Sequence, residues 1–146
     1  MKARALVLNL LVGCLSGAPA TLGDTLLESN TSWDGGAIGY PEGVARITSM
    51  ILRLVPGEET PFHCHPVPTM GYVLSGSVQV TTEHGKTQRF NAGSALVEVM
   101  KTAHRGRAVD GPVELLVFYA GADGVPVTVI PGSKHAETWP CGDGDF

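Results

Sequence analysis

At 146 residues the chain has room for one domain around one hydrophobic core. A hydrophobic share of 43% against 16% charged residues excludes a disordered chain, and 19 glycines with 10 prolines suit many short strands broken by turns. The formal charge is −4 with no basic run, which argues against nucleic-acid partners and against adhesion to anionic lipid.

The chain opens MKARALVLNLLVGCLSGAPA. Lys2 and Arg4 form a positive lead, Ala5 to Gly13 an apolar run, and Ala18-Pro19-Ala20 a small-residue cleavage site, so residues 1–20 read as a secretory signal peptide. The run is shorter than the roughly 20 apolar residues of a membrane-spanning helix, and no transmembrane segment is expected after cleavage. A competing reading uses Leu11-Val12-Gly13-Cys14, which resembles a bacterial lipobox. The signal would then end at Gly13, and Cys14 would carry a lipid anchor. Either way the expected location is periplasmic or secreted, lipid-anchored in the second case. Without Lys2 and Arg4 the mature chain carries 8 basic against 14 acidic residues, a formal charge of −6. After cleavage at Ala20 two cysteines remain, Cys64 and Cys141. An oxidising compartment permits a bridge, but nothing in the spacing says that they meet.

Residues 21–44 form a polar, glycine-containing N-terminal arm. From Ala45 to 130 short β-rich runs alternate with turn signals: RITSMILRLV, then GYVLSGSVQVTTE with a turn or bulge at Gly76-Ser77. A hairpin turn at Glu83 to Lys86 leads into TQRF, SALVEVM and AHRGRAV. A turn at Asp110-Gly111-Pro112 precedes VELLVFYA, and PVTVI comes last. No segment carries a helical stripe, so the expected fold is an all-β sandwich or barrel. Residues 131–146 make an acidic, glycine-rich tail, either loose or folded back through Trp139.

The chemistry concentrates at HCHPVPTMG, residues 63–71. In an extended strand residues two apart face the same way, so His63 and His65 point together and Cys64 points away. Two imidazoles on one face can share a transition metal, and His104 on a later strand is the candidate third ligand. Glu98 interrupts an apolar run six residues before His104. It is a weak catalytic candidate, as a replacement carboxylate or general base, and otherwise the solvent-facing member of an alternating strand. Thr69, Met70 and Tyr72 are candidate pocket residues. Arg105 and Arg107 fall on the face opposite His104, and His84 and His135 lie in a turn and the tail, outside the site.

Gly57, His63, His65 and Gly76 resemble the first motif of the cupin superfamily, G-x5-H-x-H-x3,4-E-x6-G, and Gly93 and His104 resemble its second, G-x5-P-x-G-x2-H-x3-N. The resemblance covers about residues 45–120 and implies a double-stranded β-helix, or jelly-roll barrel, of the small single-domain bacterial type. Three residues depart from the pattern in the second motif: Val99 at the proline, Lys101 at the glycine and Ala108 at the asparagine. In the first, Thr69 stands where the family has its glutamate ligand. The resemblance therefore carries over three metal ligands, His63, His65 and His104, and not the fourth.

Three imidazoles would suit Fe, Mn, Zn or Ni, without choosing among them. The implied function is a metal-dependent enzyme acting on a small organic ligand in the barrel, of the dioxygenase or isomerase class. The alternative is a non-catalytic periplasmic binder without metal. The resemblance also implies a homodimer. It names no substrate, because one fold hosts many chemistries.

Overall fold

The computed structural model describes residues 23–142. The export signal expected over residues 1–20, with Cys14, lies outside them. Five strands follow in order: β1 (Ala45–Leu54), β2 (Thr69–Thr82), β3 (Thr87–Asn91), β4 (Ala95–Val97) and β5 (His104–Ala122). The only helix among the described residues is a 3₁₀ turn, Lys134–Glu137, so none is long and apolar enough to cross a membrane. The strands pair antiparallel in the order β1-β5-β2-β3, with β4 also on β2. This all-β arrangement fits a jelly-roll barrel.

The two long strands carry the core, and both change phase part-way. In β2 the odd-numbered Thr69, Gly71 and Val73 are buried first, and the even-numbered Val78, Val80 and Thr82 afterwards. In β5 His104 and Ala108 point inward first, then Val113, Leu115, Val117 and Tyr119. A period-two strand cannot change faces without an irregularity. Here the irregularities face each other: Ser75 pairs with Glu114 and Ser77 with Val109, so five steps of β5 oppose two of β2. Asp110 and Gly111 absorb the excess at φ of 59° and 128°. Gly76, at φ 76°, lies so close to β5 that an added Cβ would fall 2.0 Å from the Pro112 carbonyl oxygen. The expected turn at Asp110-Gly111-Pro112 is therefore a bulge inside one strand. The reversal of facing lets both halves of β2 and β5 bury apolar side chains in one core, with Val67, Val73, Val78, Val80, Leu115 and Val117 among its members.

One other expectation changes. PVTVI makes no ladder. Val129 pairs with Cys64 alone, and the Val127 carbonyl is taken by the His65 ring, so this backbone serves the histidine segment instead of a neighbouring strand. Of the two readings of the tail, its described part, residues 131–142, takes the folded-back one: Cys141 is disulfide-bonded to Cys64, Gly142 N–H donates to the Lys101 carbonyl (3.0 Å) and Trp139 is half-buried. The arm packs on the barrel as well: Trp33 N–H donates to the Val97 carbonyl (3.0 Å), and its ring meets Phe90 edge-on at 6.2 Å.

Candidate metal centre

His63 and His65 lie in the connection between β1 and β2, held by isolated bridges. His63 exchanges two backbone hydrogen bonds with His104 at the start of β5 (2.9 and 2.8 Å), and the His65 carbonyl accepts from Lys101 N–H (2.9 Å). Extended backbone keeps the two rings on one side, with centroids 4.9 Å apart, and turns Cys64 outward to its disulfide. His104 completes a triangle, its ring 4.6 Å from that of His63 and 5.0 Å from that of His65. One ring nitrogen from each histidine lies within 4.8 Å of the other two.

Hydrogen bonding sets the tautomer of all three rings. Nδ1 of His63 faces the Pro61 carbonyl at 2.8 Å, that of His65 the Val127 carbonyl at 2.8 Å, and that of His104 the Thr102 carbonyl at 2.9 Å. A carbonyl oxygen can only accept, so each Nδ1 carries the proton and each Nε2 keeps its lone pair. A backbone carbonyl on the far nitrogen is also how metal-binding histidines are commonly oriented. Burial, aided for His63 and His65 by the neighbouring imidazoles, lowers the pKa of all three rings, that of His65 well below 6.5. They are therefore neutral near pH 7, as metal ligation requires.

Glu98 enters the same cavity. It is 6% exposed, not solvent-facing, and burial pushes its carboxyl up to about 7 against the opposing pull of His63. Its Oε2 lies 3.6 Å from His104 Nε2, too far for a hydrogen bond. Both atoms are buried without a hydrogen-bond partner among the described residues. Buried polar atoms are normally satisfied, so an orphaned pair calls for an explanation. A divalent cation supplies one, and the donor set fits a transition metal without naming it.

The cavity is narrow, about 50 Å³. Besides the three histidines and Glu98 it is lined by Thr60, Gly106 and apolar side chains including Val78, Val80, Leu115 and Val117. Tyr119 also lines it, with its ring 5.6 Å from that of His65. Sequence reasoning missed Tyr119 as a lining residue. The alternation of VELLVFYA could have placed it on the inner face, but not beside His65.

The three residues expected to line the pocket lie elsewhere. Thr69 is fully buried, but its hydroxyl donates to the Val67 carbonyl (3.0 Å) and does not line the cavity. Met70 and Tyr72 take the outward phase of β2 and line an open groove of about 690 Å³ with Leu26, Leu27 and Leu116. Arg105 and Arg107 also point away, toward Glu59 at 2.8 and 3.5 Å. His84 and His135 are exposed and outside the cavity. Lys101, standing at the second motif's glycine, keeps a left-handed backbone at φ 60°, so the glycine's conformation persists without the glycine.

Residues 50–119 match the family model of the cupin domain. This region of the chain is a cupin-type domain. Its fold resembles that of DMSP lyase DddQ from Ruegeria pomeroyi DSS-3, at 24% identity and a TM-score of 0.51, over 57% of this chain and 42% of that one. It also resembles an uncharacterised conserved protein with a double-stranded β-helix domain from Klebsiella pneumoniae, at 16% identity and a TM-score of 0.50, over 64% of this chain and 75% of that one. At these identities the likeness is one of fold, and this chain covers 42% of the lyase's length. No curated protein matches in sequence.

Proposed function

We propose that this cupin holds a divalent transition metal on Nε2 of His63, His65 and His104 and acts on a small oxygen-bearing organic molecule, as an oxygenase or isomerase. One observation carries the reading: three backbone carbonyls hold three Nδ1 protons, leaving three Nε2 lone pairs for one buried cavity. A bound metal would supply Lewis-acid or redox chemistry at a substrate oxygen. The chain's own residues would orient the imidazoles and keep them neutral, while Val78, Val80, Leu115 and Val117 limit access of water.

The cavity volume restricts the substrate. Ligand pockets for drug-sized molecules run to roughly 300–1,000 Å³, and about 50 Å³ admits only a few heavy atoms beside the histidines. A small substrate, or the reacting end of a longer one, fits this reading. The name of the fold neighbour, a DMSP lyase, adds elimination from a small molecule to the reactions worth assaying, but 24% identity carries no substrate across.

Export is part of the proposal. The Cys64–Cys141 disulfide supports an oxidising compartment, in line with the signal read in residues 1–20. Self-association is supported by an outward apolar patch of Met70, Leu74, Leu116 and Phe118, each 37–44% exposed.

Elemental analysis of protein purified without added metal, with a titration of the chelator-treated protein, tests the central claim. Close to one metal per chain is expected for the wild type and a large loss for His104→Ala. If wild type is isolated metal-free and takes up none of Fe²⁺, Mn²⁺, Zn²⁺ or Ni²⁺, the proposal fails.

A further inference from the structure

We propose that Glu98 is the fourth protein ligand of the metal, supplying from the neighbouring strand the carboxylate that Thr69 lacks; this rests on the three-histidine reading above. The placement follows from sheet register. β4 pairs with β2 through Met70↔Val97 and Gly71↔Leu96. One step further along the same register sets Glu98 opposite Thr69, and the Glu98 N–H donating to the Thr69 carbonyl at 2.8 Å shows that the pairing continues that far. Directly opposed residues of an antiparallel pair project to the same face, their Cβ atoms about 5 Å apart. A carboxylate at position 98 can therefore reach the space that one at position 69 would serve.

Side-chain chemistry agrees with that exchange. The Thr69 hydroxyl is occupied by the Val67 carbonyl and faces no histidine nitrogen at hydrogen-bond distance. Glu98 instead brings Oε2 to 3.6 Å from His104 Nε2. With Nδ1 of His104 donating to Thr102, Nε2 is an acceptor, and so is a carboxylate oxygen. With the carboxyl ionised, two buried acceptors face each other 3.6 Å apart, and neither has a hydrogen-bond partner among the described residues. One cation satisfies both, and two ligand atoms each about 2 Å from an ion lie at roughly this separation. Glu98 is 6% exposed, which excludes a solvent-facing role, and its buried Oε2 has no hydrogen-bond partner among the described residues.

The test uses Co²⁺ as a spectroscopic probe on the full chain after chelation, reading the dissociation constant and the visible ligand-field bands. Glu98→Gln keeps the shape and removes the anionic ligand. It is expected to weaken Co²⁺ binding at least tenfold and to shift the bands, with binding by the histidines still detectable. Glu98→Ala should weaken binding similarly, and adding Thr69→Glu to it should recover affinity and bands toward wild type. Thermal melts of the chelated variants establish that each is folded. Unchanged affinity and bands in Glu98→Gln would overturn the proposal while leaving the three-histidine site standing. Failure of Thr69→Glu to recover any binding in a folded double variant would also overturn it, by assigning the effect of Glu98 to packing. Wild type that binds no Co²⁺ would remove the three-histidine site itself, and this proposal with it.

Discussion

Breaking the Cys64–Cys141 bond is expected to remove a large part of the stability of the fold. The two cysteines are 77 residues apart, so the bond closes a loop containing β2 to β5. Closing a loop of that length in the unfolded chain corresponds to about 4.5 kcal/mol at 25 °C in the chain-entropy treatment. A domain of this kind has roughly 5–15 kcal/mol in total. Cys64 is 1% exposed and its backbone is paired to Val129, so the folded state has little room to relax when the bond is cut. Guanidinium unfolding of the chelated Cys64→Ala/Cys141→Ala protein, compared with oxidised wild type, measures the effect. With a denaturant slope of about 4 kcal/mol per molar, the midpoint should fall by about 1 M. The functional consequence is local. Cys64 stands between His63 and His65, and the bridged tail also meets Lys101, whose N–H holds the His65 carbonyl. Metal affinity should fall along with stability. A midpoint shift under about 0.25 M, with an unchanged slope, would refute the reasoning, because the strand pairing alone would then suffice to hold the ends together.

Three further outcomes are expected. In metal-free protein burial raises the Glu98 carboxyl from 4.5 to about 7, so its contribution to stability is fully present below pH 4.5 and is lost as pH rises through 7. Glu98→Gln should abolish that loss of about 3 kcal/mol, and parallel stability–pH profiles for the two proteins would count against the buried carboxyl. The lowered histidine pKa values act in the opposite direction, costing stability as pH falls below 6.5 in both proteins. Gly76→Ala should cost more than about 3 kcal/mol, since a left-handed backbone and a collision with the Pro112 carbonyl combine, whereas Gly57→Ala, at φ 78° with open space around it, should cost only about 1 kcal/mol. Equal midpoints for the two variants would argue against the close approach of β2 and β5. Leu116→Asp, in the centre of the exposed apolar patch, should convert a dimer to a monomer in light scattering; a wild type already monomeric at high concentration would dispose of that interface.

Sequence alone determined the fold class and the three histidines of the site. Alternating β-branched runs between glycine and proline signals dictated an all-β chain, because side-chain period and turn chemistry are local properties. The His-x-His spacing dictated that His63 and His65 point together for the same reason, and the cupin-like spacing supplied His104. What sequence could not determine depends on register between distant strands. That Glu98 lies opposite Thr69 follows from the β2–β4 ladder, whereas the pattern of residues 94–100 left Glu98 open between the cavity and solvent. The bulge at Asp110 to Pro112 looked like a turn because the same residue types serve both; only β2, running past it with Gly76 against Pro112, makes it a kink in a continuous strand. Met70 and Tyr72 were misplaced through proximity in sequence, since the residue next to an inward Thr69 must face outward. Cys64 and Cys141 are joined by the path of the tail across the barrel, which no local pattern encodes. Tertiary structure thus decided which carboxylate reaches the histidines, because on a sheet the neighbour that matters is the residue opposite, not the residue next in the chain.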